Sequence, residues 1–437
     1  MPRIFHRLFP IFVVMSLALA ACSGGEIGAT DEPDESSAPP AASGDASVAP
    51  SEAAFPEGDV AIELWTKEGD PQIAYVESLA EAYGAEHPNV TIEVVNKDVE
   101  LLREDLVNTA LSPEAAPELV WTVADHVGPF TSAGVIQEIT GVDASVYEEG
   151  ALSAVQVDGT TWGIPISNGN QLMLYFNKSL AGEDAPADTD ELIATATENT
   201  SGDTFGLVFN ETESFWLTPW LAGFDASVFA EDGTTPTLDT PEMQAALEFL
   251  YNLKYTDEVM PAECDYTCAS DLFTSGSAAY IVNGDWELGN YADQLGDDLG
   301  VAPLPTVTET GSDPAPYTAG AFYMVPAAVE GDELTVVLDF ISWSTNTENQ
   351  IAMVEELRRL PANAEALGDA VVTDDPLLAG ASEALLKGVP QPTNVEMRCV
   401  FDAMNTGIRD VLGAGNSDFA AVTVAMQEAA DNCVATL

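Results

Sequence analysis

Apolar positions along this chain recur at two spacings, and the alternation between them outlines the fold. Val60–Trp65 alternates and runs into Lys67-Glu68-Gly69-Asp70-Pro71, which predicts a strand ending in a loop. Ile73, Val76, Leu79, Ala80 and Tyr83 fall on one face of a helix over Ile73–Glu86, stopped by His87-Pro88. Val90–Val95 and Glu118–Thr122 read as further strands, with helix over Leu101–Leu111 between them. Strands that alternate with helices imply a mostly parallel sheet covered on its faces. Ligands of such sheets lie beyond the carboxyl ends of the strands, so the loops after Trp65 and Trp121 are where binding residues are sought.

The pattern continues with strands at Thr161–Ile166, Leu172–Asn177, Phe205–Phe209, Ala278–Asn283, Val301–Leu304 and Ala321–Val325. Helical spacing marks Pro241–Leu253, Leu334–Trp343, Val395–Leu412 and Ser417–Asn432. Glu213–Leu221 is an aromatic-rich segment, and no internal repeat is present.

The first residues follow different rules. Arg3, His6 and Arg7 precede an apolar run from Leu8 to Leu19, and Leu19-Ala20-Ala21-Cys22 follows. This is the form of a secretory signal, 1–21, too short for a bilayer span of about 20 apolar residues. The Ala-Ala-Cys end resembles a bacterial lipobox, which implies lipidation of Cys22; an ordinary signal with an incidental cysteine is the plainer alternative. Residues 22–58 are mostly Ser, Ala, Pro, Gly, Asp and Glu, with Phe55 the only aromatic. Such a segment cannot offset its chain entropy by burial, so a disordered, extended tether is expected.

The 437 residues carry 73 acidic side chains against 12 basic, a net charge of −61. This argues against nucleic acid and anionic lipid surfaces as partners, since both would be repelled. The folded body is long enough for two domains. Beyond Cys22, four cysteines remain in a chain bound for export, which allows two disulfides in three pairings. Cys264–Cys268 is the local pairing. Cys399 sits near the start of one predicted helix and Cys433 at the end of the next, across Gly413-Ala414-Gly415-Asn416. Antiparallel helices bring those ends together, which favours Cys399–Cys433. The spacing does not suit zinc, and no metal or cofactor is expected.

Four segments carry a family resemblance: the Leu64-Trp65 strand end, PELVWTVADHVGPFTSAGVIQEIT (Pro117–Thr140), DGTTWGIPISNGNQLMLYFNKSL (Asp158–Leu180) and FTSGSAAYIVNGDW (Phe273–Trp286). Their order and spacing resemble the extracellular solute-binding proteins of ABC importers, specifically the maltose-binding group, from about Val60 to the C-terminus. The resemblance implies an α/β fold of the periplasmic-binding-protein type II class, with two lobes that exchange strands around a central cleft. Lobe 1 is expected over 59–168 plus about 318–365, and lobe 2 over about 169–317 plus 366–437. Crossings are expected near Ser167–Gln171, near Pro314–Gly320 and around Pro361–Leu367. It further implies a monomeric, exported, membrane-anchored receptor that captures a carbohydrate, an α-glucoside such as maltose, maltodextrin or trehalose, by hinge closure and hands it to membrane permease subunits.

Sugar recognition needs aromatic rings for the apolar face of a pyranose and carboxylates or amides for its hydroxyls. By the resemblance, lobe 1 supplies Lys67, Glu68, Arg103, Asp125 and His126, with Asn170 or Gln171 at the crossing. His126 stands where the family has Arg, and imidazole lacks the guanidinium fork. Lobe 2 supplies Glu213, Phe215, Trp216, Asp285 and Trp286, with Tyr266 in the loop held by Cys264–Cys268. Trp286 is the foremost candidate platform. Arg398 falls near a position that often holds an aromatic residue, and Cys399 aligns with that position, so this part of the cleft departs from the maltose type.

Each residue also has a structural reading. A lone Trp more often packs a core, and Trp65, Trp162 and Trp343 are assigned to packing. Asp125 and Asp285 could cap helices or turns. No HExxH, GxSxG, P-loop or dinucleotide-binding glycine pattern is present, so catalysis is not expected. Two alternatives use the same side chains. A polyamine or quaternary-ammonium binder would want acids and aromatic faces, and a surface adhesin or lipoprotein glycosidase would need a carboxylate pair that the sequence does not single out.

Overall fold

The structure, a computed structural model, describes residues 54–437 except 70, 71 and 158. The signal, Cys22 and the tether up to residue 53 lie outside the described residues. The end of the expected tether is a correction. Phe55 lies 4.6 Å from the His87 ring, Asn89 Nδ2 donates to the Pro56 and Gly58 carbonyls, and Pro56 is buried. The Phe55–His87 contact and the Asn89 amide together seat the last residues of that stretch.

The first half begins with β1 (Val60–Thr66), α1 (Gln72–Glu86), β2 (Val90–Asn96), α2 (Val99–Asn108) and β3 (Leu119–Val123). β1 pairs in parallel with both β2 and β3. α1 buries Tyr75, Val76, Leu79, Ala80 and Tyr83 on one stripe, as its spacing predicts. After β4 (Ile164–Pro165) the chain leaves this sheet and builds a second one. That sheet contains β5 (Leu172–Asn177) and β6 (Phe205–Val208), followed by α3 (Pro241–Tyr255), α4 (Tyr266–Thr274), β7 (Ala278–Gly284) and β8 (Leu299–Ala302). The chain then returns as β9 (Ala321–Met324), antiparallel to β3 and β4. The sheet orders are β2-β1-β3-β9-β4 and β8-β5-β7-β6.

Helices α5 (Gly331–Ser344) and α6 (Thr347–Leu357) belong to the first half, where Phe340, Ile341 and Met353 pack with Leu64, Trp121 and Tyr323. Helix α7 (Pro376–Leu386) packs with the second, with Leu378 and Ala381 against Met173 and Tyr175. Helices α8 (Glu396–Ile408) and α9 (Phe419–Val434) complete it around Leu247, Leu250 and Val282. All seven residues of β7 are buried, which suits a strand covered on both faces.

Three crossings join the halves side by side. Asn168 N–H donates to the Leu360 carbonyl at 3.0 Å, and Ala319 N–H donates to Gly169 at 2.9 Å. Gly320 shows how close they run. Its φ is +128°, and a Cβ there would meet the Ser167 carbonyl oxygen at 1.9 Å, so only glycine fits.

The expected strand Thr161–Ile166 is broken, because Trp162-Gly163 separates Thr160–Thr161 from Ile164–Pro165. Leu101–Leu111 becomes α2 followed by a 3₁₀ turn over Thr109–Leu111. Helices α6 and α7 were not marked by the apolar spacing, since their buried residues are few and partly polar or small. Cys264 is bonded to Cys268 and Cys399 to Cys433. The second bond closes a 34-residue separation and ties α8 to α9, a loop for which chain entropy alone suggests about 3–4 kcal/mol of stabilisation. No helix among the described residues is long and apolar enough to cross a membrane. No cluster of metal-ligating side chains occurs among them.

Candidate functional site

A cavity of about 730 Å³ lies between the two halves. One wall is the start of α2 and the turn after β3, with Asp98, Val99, Glu100 and Asp125. Asp98 caps α2, accepting N–H groups of Glu100 and Leu101, and the side chains of this first turn line the cavity. The opposite wall is aromatic and polar. Glu213, Phe215 and Trp216 come from the loop after β6, Trp286 from the end of β7, and Arg398, Phe401 and Arg409 from α8 and its last turn. Asn170 lies on the floor at the first crossing.

Trp286 is half-buried, and its ring centroid is 6.3 Å from that of Phe215 at an interplanar angle of 43°. The two rings form a bent apolar surface. Trp216 is only 4% exposed, and its indole donates to the Val282 carbonyl at 2.8 Å, so little of its ring is open to the cavity. Asp125 aims its carboxylate into the cavity. Burial, reinforced by Glu100, pushes its pKa up to about 6 against the pull of Arg398 and Arg103. Burial also raises the pKa of Glu213.

Glu100, which the sequence reading passed over, is the electrostatic centre of one edge. Its Oε2 accepts from Arg103 Nη2 at 2.9 Å on its own helix and from Arg398 Nη1 at 2.7 Å across the cleft. Arg103 and Arg398 therefore line a side recess with Asp125 and Phe401, their charges already matched. A second tie across the cleft runs from Gln72 Nε2 to the Trp286 carbonyl, 2.9 Å. Lys67 faces a small recess at the base with Asn170, Asp285 and Arg359.

Other expected site residues do not reach the cavity. His126 is fully buried, its Nδ1 2.7 Å from Thr122 Oγ1 and its ring edge-on to Phe130. Burial drops its pKa to about 3, so it stays neutral in the core. Gln171 is also fully buried, donating to the Ala381 carbonyl, and of the two crossing candidates only Asn170 lines the cavity. Glu68 is 3% exposed and takes a bidentate guanidinium from Arg359, 2.9 Å to each oxygen, as well as the Trp121 indole N–H at 3.0 Å. Burial alone would raise its pKa, but Arg359 and then Lys67 outweigh this and hold the carboxyl well below the usual carboxylate range. Asp285 lies beneath the floor, accepting Asn170 N–H at 2.9 Å, and burial lifts its pKa to about 6. Tyr266 sits behind Trp286 rather than in the cavity.

Glu100 and Asp98 could have been found from the sequence by extending the strand-end rule to β2, whose carboxyl end they follow. Phe401 and Arg409 carry no local signal, because they reach the cleft only through the packing of α8.

The architecture agrees with what the chain is similar to. Residues 78–380 match the family model described as bacterial extracellular solute-binding protein. The maltotriose-binding protein of Pyrococcus abyssi (strain GE5 / Orsay) is 25% identical over 362 residues, covering 81% of this chain and 78% of that protein. The maltooligosaccharide ABC transporter solute-binding lipoprotein of Streptococcus pneumoniae serotype 4 (strain ATCC BAA-334 / TIGR4) is 25% identical over 358 residues, 79% of this chain and 82% of that protein. Among solved structures, the maltose/maltodextrin-binding domain MalE from Bdellovibrio bacteriovorus bound to maltotriose superposes with a TM-score of 0.81 at 29% identity, covering 86% of this chain and all of that one. With the family match spanning well over half of its length, the chain belongs to the bacterial extracellular solute-binding proteins.

Proposed function

We propose that this protein is the sugar receptor of an ABC importer, exported, anchored through Cys22, and monomeric. It closes two lobes on a neutral α-glucoside of the maltose, maltodextrin or trehalose class and presents it to membrane permease subunits. The observation that carries the reading is the bent aromatic face of Trp286 and Phe215, set opposite Asp125 in a 730 Å³ cavity. Rings take the apolar face of a pyranose, and carboxylates accept its hydroxyls. Relatives named for maltotriose and maltooligosaccharides support the ligand class, and the streptococcal relative, named a lipoprotein, supports the anchor. The lobes hinge about the three crossings, with the ligand favouring closure because it touches both walls only then. Arg398 and Arg409 line the same cavity as the acids, which favours a neutral polyol over a cationic solute.

A thermal-shift screen against maltose, maltotriose, trehalose, spermidine and choline tests this, because a ligand of the native state raises the melting temperature. Maltotriose is expected to stabilise the protein and to be recovered intact. Stabilisation by spermidine alone, or release of glucose, would overturn the reading.

Asp125 adds a pH dependence. Protonation below about pH 6 removes an acceptor, so maltotriose affinity is expected to fall several-fold between pH 7.5 and 5. Stability of the ligand-free protein moves the other way. A carboxyl whose folded pKa is raised binds more protons when folded between about pH 4 and 6, so stability is lost as pH rises through that window. Asp285 titrates in the same range beneath the floor, so Asp125→Asn separates the two. Calorimetric titration should show a flattened affinity profile in that variant; an unchanged pH step would remove Asp125 as the acceptor.

A further inference from the structure

The indole of Trp286 is held by two contacts, neither of which involves a ligand. Its Nε1–H donates to the Tyr266 hydroxyl at 2.8 Å, and that hydroxyl donates to the Glu287 carboxylate. The direction of the relay is fixed, since a carboxylate accepts and an indole N–H only donates. Burial and then Glu287 push the Tyr266 phenol well above its ordinary pKa, so it keeps the proton it donates. On its other side the six-membered ring folds back over Gly284, where a Cβ would lie 2.1 Å from it. Glu287 is itself steadied by Asn290 Nδ2 at 2.8 Å.

Tyr266 has little freedom of its own. It is the first residue of α4, directly after the cap Asp265, whose carboxylate accepts Cys268 N–H at 2.9 Å. The Cys264–Cys268 bond closes this same turn. The Cys264 carbonyl accepts Glu211 N–H at 3.0 Å, which ties the turn to the loop that carries Phe215. The Tyr266 ring stands edge-on to Trp216, centroids 5.9 Å apart. The disulfide turn therefore touches both elements of the aromatic surface.

We infer that Tyr266 is a positioning residue rather than a ligand contact: with Glu287 and the Cys264–Cys268 turn, it sets the plane of Trp286 before any ligand arrives. The indole N–H is consumed by this relay, so Trp286 offers a ligand its face alone. A face held in place loses less entropy on binding than one that must be ordered. The inference rests on the sugar reading for its ligand, though not for its geometry.

The test uses Tyr266→Phe, which keeps the ring against Trp216 and deletes only the hydroxyl. Maltotriose affinity is expected to fall about tenfold in the wild-type background and to change little in a Trp286→Phe background, where there is no indole N–H to hold. A fall of equal size in both backgrounds, or none in either, would overturn the inference. The second readout needs no ligand. In protein labelled with 5-fluorotryptophan, the ¹⁹F signal lost in Trp286→Phe identifies Trp286. That signal is expected to shift and broaden in Tyr266→Phe, and also in the Cys264→Ser/Cys268→Ser double variant, with the other tryptophan signals in place. An unmoved Trp286 signal in Tyr266→Phe sinks the proposal. If maltotriose fails to bind the wild-type protein, the sugar reading falls, and the fluorine signal still decides whether Tyr266 holds the indole.

Discussion

Trp286→Ala is expected to weaken maltotriose binding at least a hundredfold, about 2.7 kcal/mol, while the protein still unfolds cooperatively. The indole is half-buried, lies beside Phe215, and lines the cavity. Buried aromatic platforms dominate recognition because they combine large area with few rotatable bonds. The substitution leaves Phe215 without its companion ring and Tyr266 without its donor. Titration calorimetry measures the loss directly, and Trp286→Phe should recover part of it. An affinity that survives Trp286→Ala unchanged would place the sugar elsewhere in the cleft.

The second large effect falls on stability. Glu68→Ala strands the Arg359 guanidinium, whose side chain is 4% exposed, and leaves the Trp121 indole N–H without its acceptor. Breaking one side of a buried ion pair costs about 3–5 kcal/mol, because the remaining charge keeps its desolvation penalty. The expected result is a lowered urea midpoint with an unchanged slope. The double variant Glu68→Leu/Arg359→Met removes both charges and should recover most of the loss. If the single and double variants are equally destabilised, the pair is not the source. The pair matters for more than stability, since it joins the turn after β1 to the third crossing, where Asn168 N–H reaches the Leu360 carbonyl.

Much of this fold was legible because its signals are local. The stripe of α1, the alternation of β1 and the buried run of β7 each occupy one short window of sequence. The cysteine pairing of α8 with α9 was legible for a similar reason, since a short connection between two helices sets their ends side by side. Helices α6 and α7 were not, because their buried faces include Gln350 and small alanines that carry little apolar contrast.

The candidate site divides in the same way. Asp125 and His126 are adjacent in sequence and both follow β3, yet one faces the cavity and the other the core. They lie in a 3₁₀ turn, where successive side chains point about 120° apart. Which of them faces inward is decided by Thr122 and Phe130, which receive the imidazole. Glu68 sits at the predicted strand end, but Arg359, far along the chain, captures it. Glu213, Phe215 and Trp286 line the cavity because the strand ends that carry them already face the gap between the sheets.

The sequence by itself determined the alternation of strands and helices, the two-lobed class of fold, and the strand ends where aromatic and acidic side chains collect. The elements and the strand ends depend on residues close together in the chain, and the two-lobed class followed from the resemblance carried by four segments in their order along it. The tertiary structure decided which polar side chains line the cavity: Asp125 but not His126, Asn170 but not Gln171, Glu100 rather than Glu68. A buried polar group must find a partner, and the partners that hold Gln171 and Glu68 away from the cavity, Ala381 and Arg359, come from elements that only folding brings together.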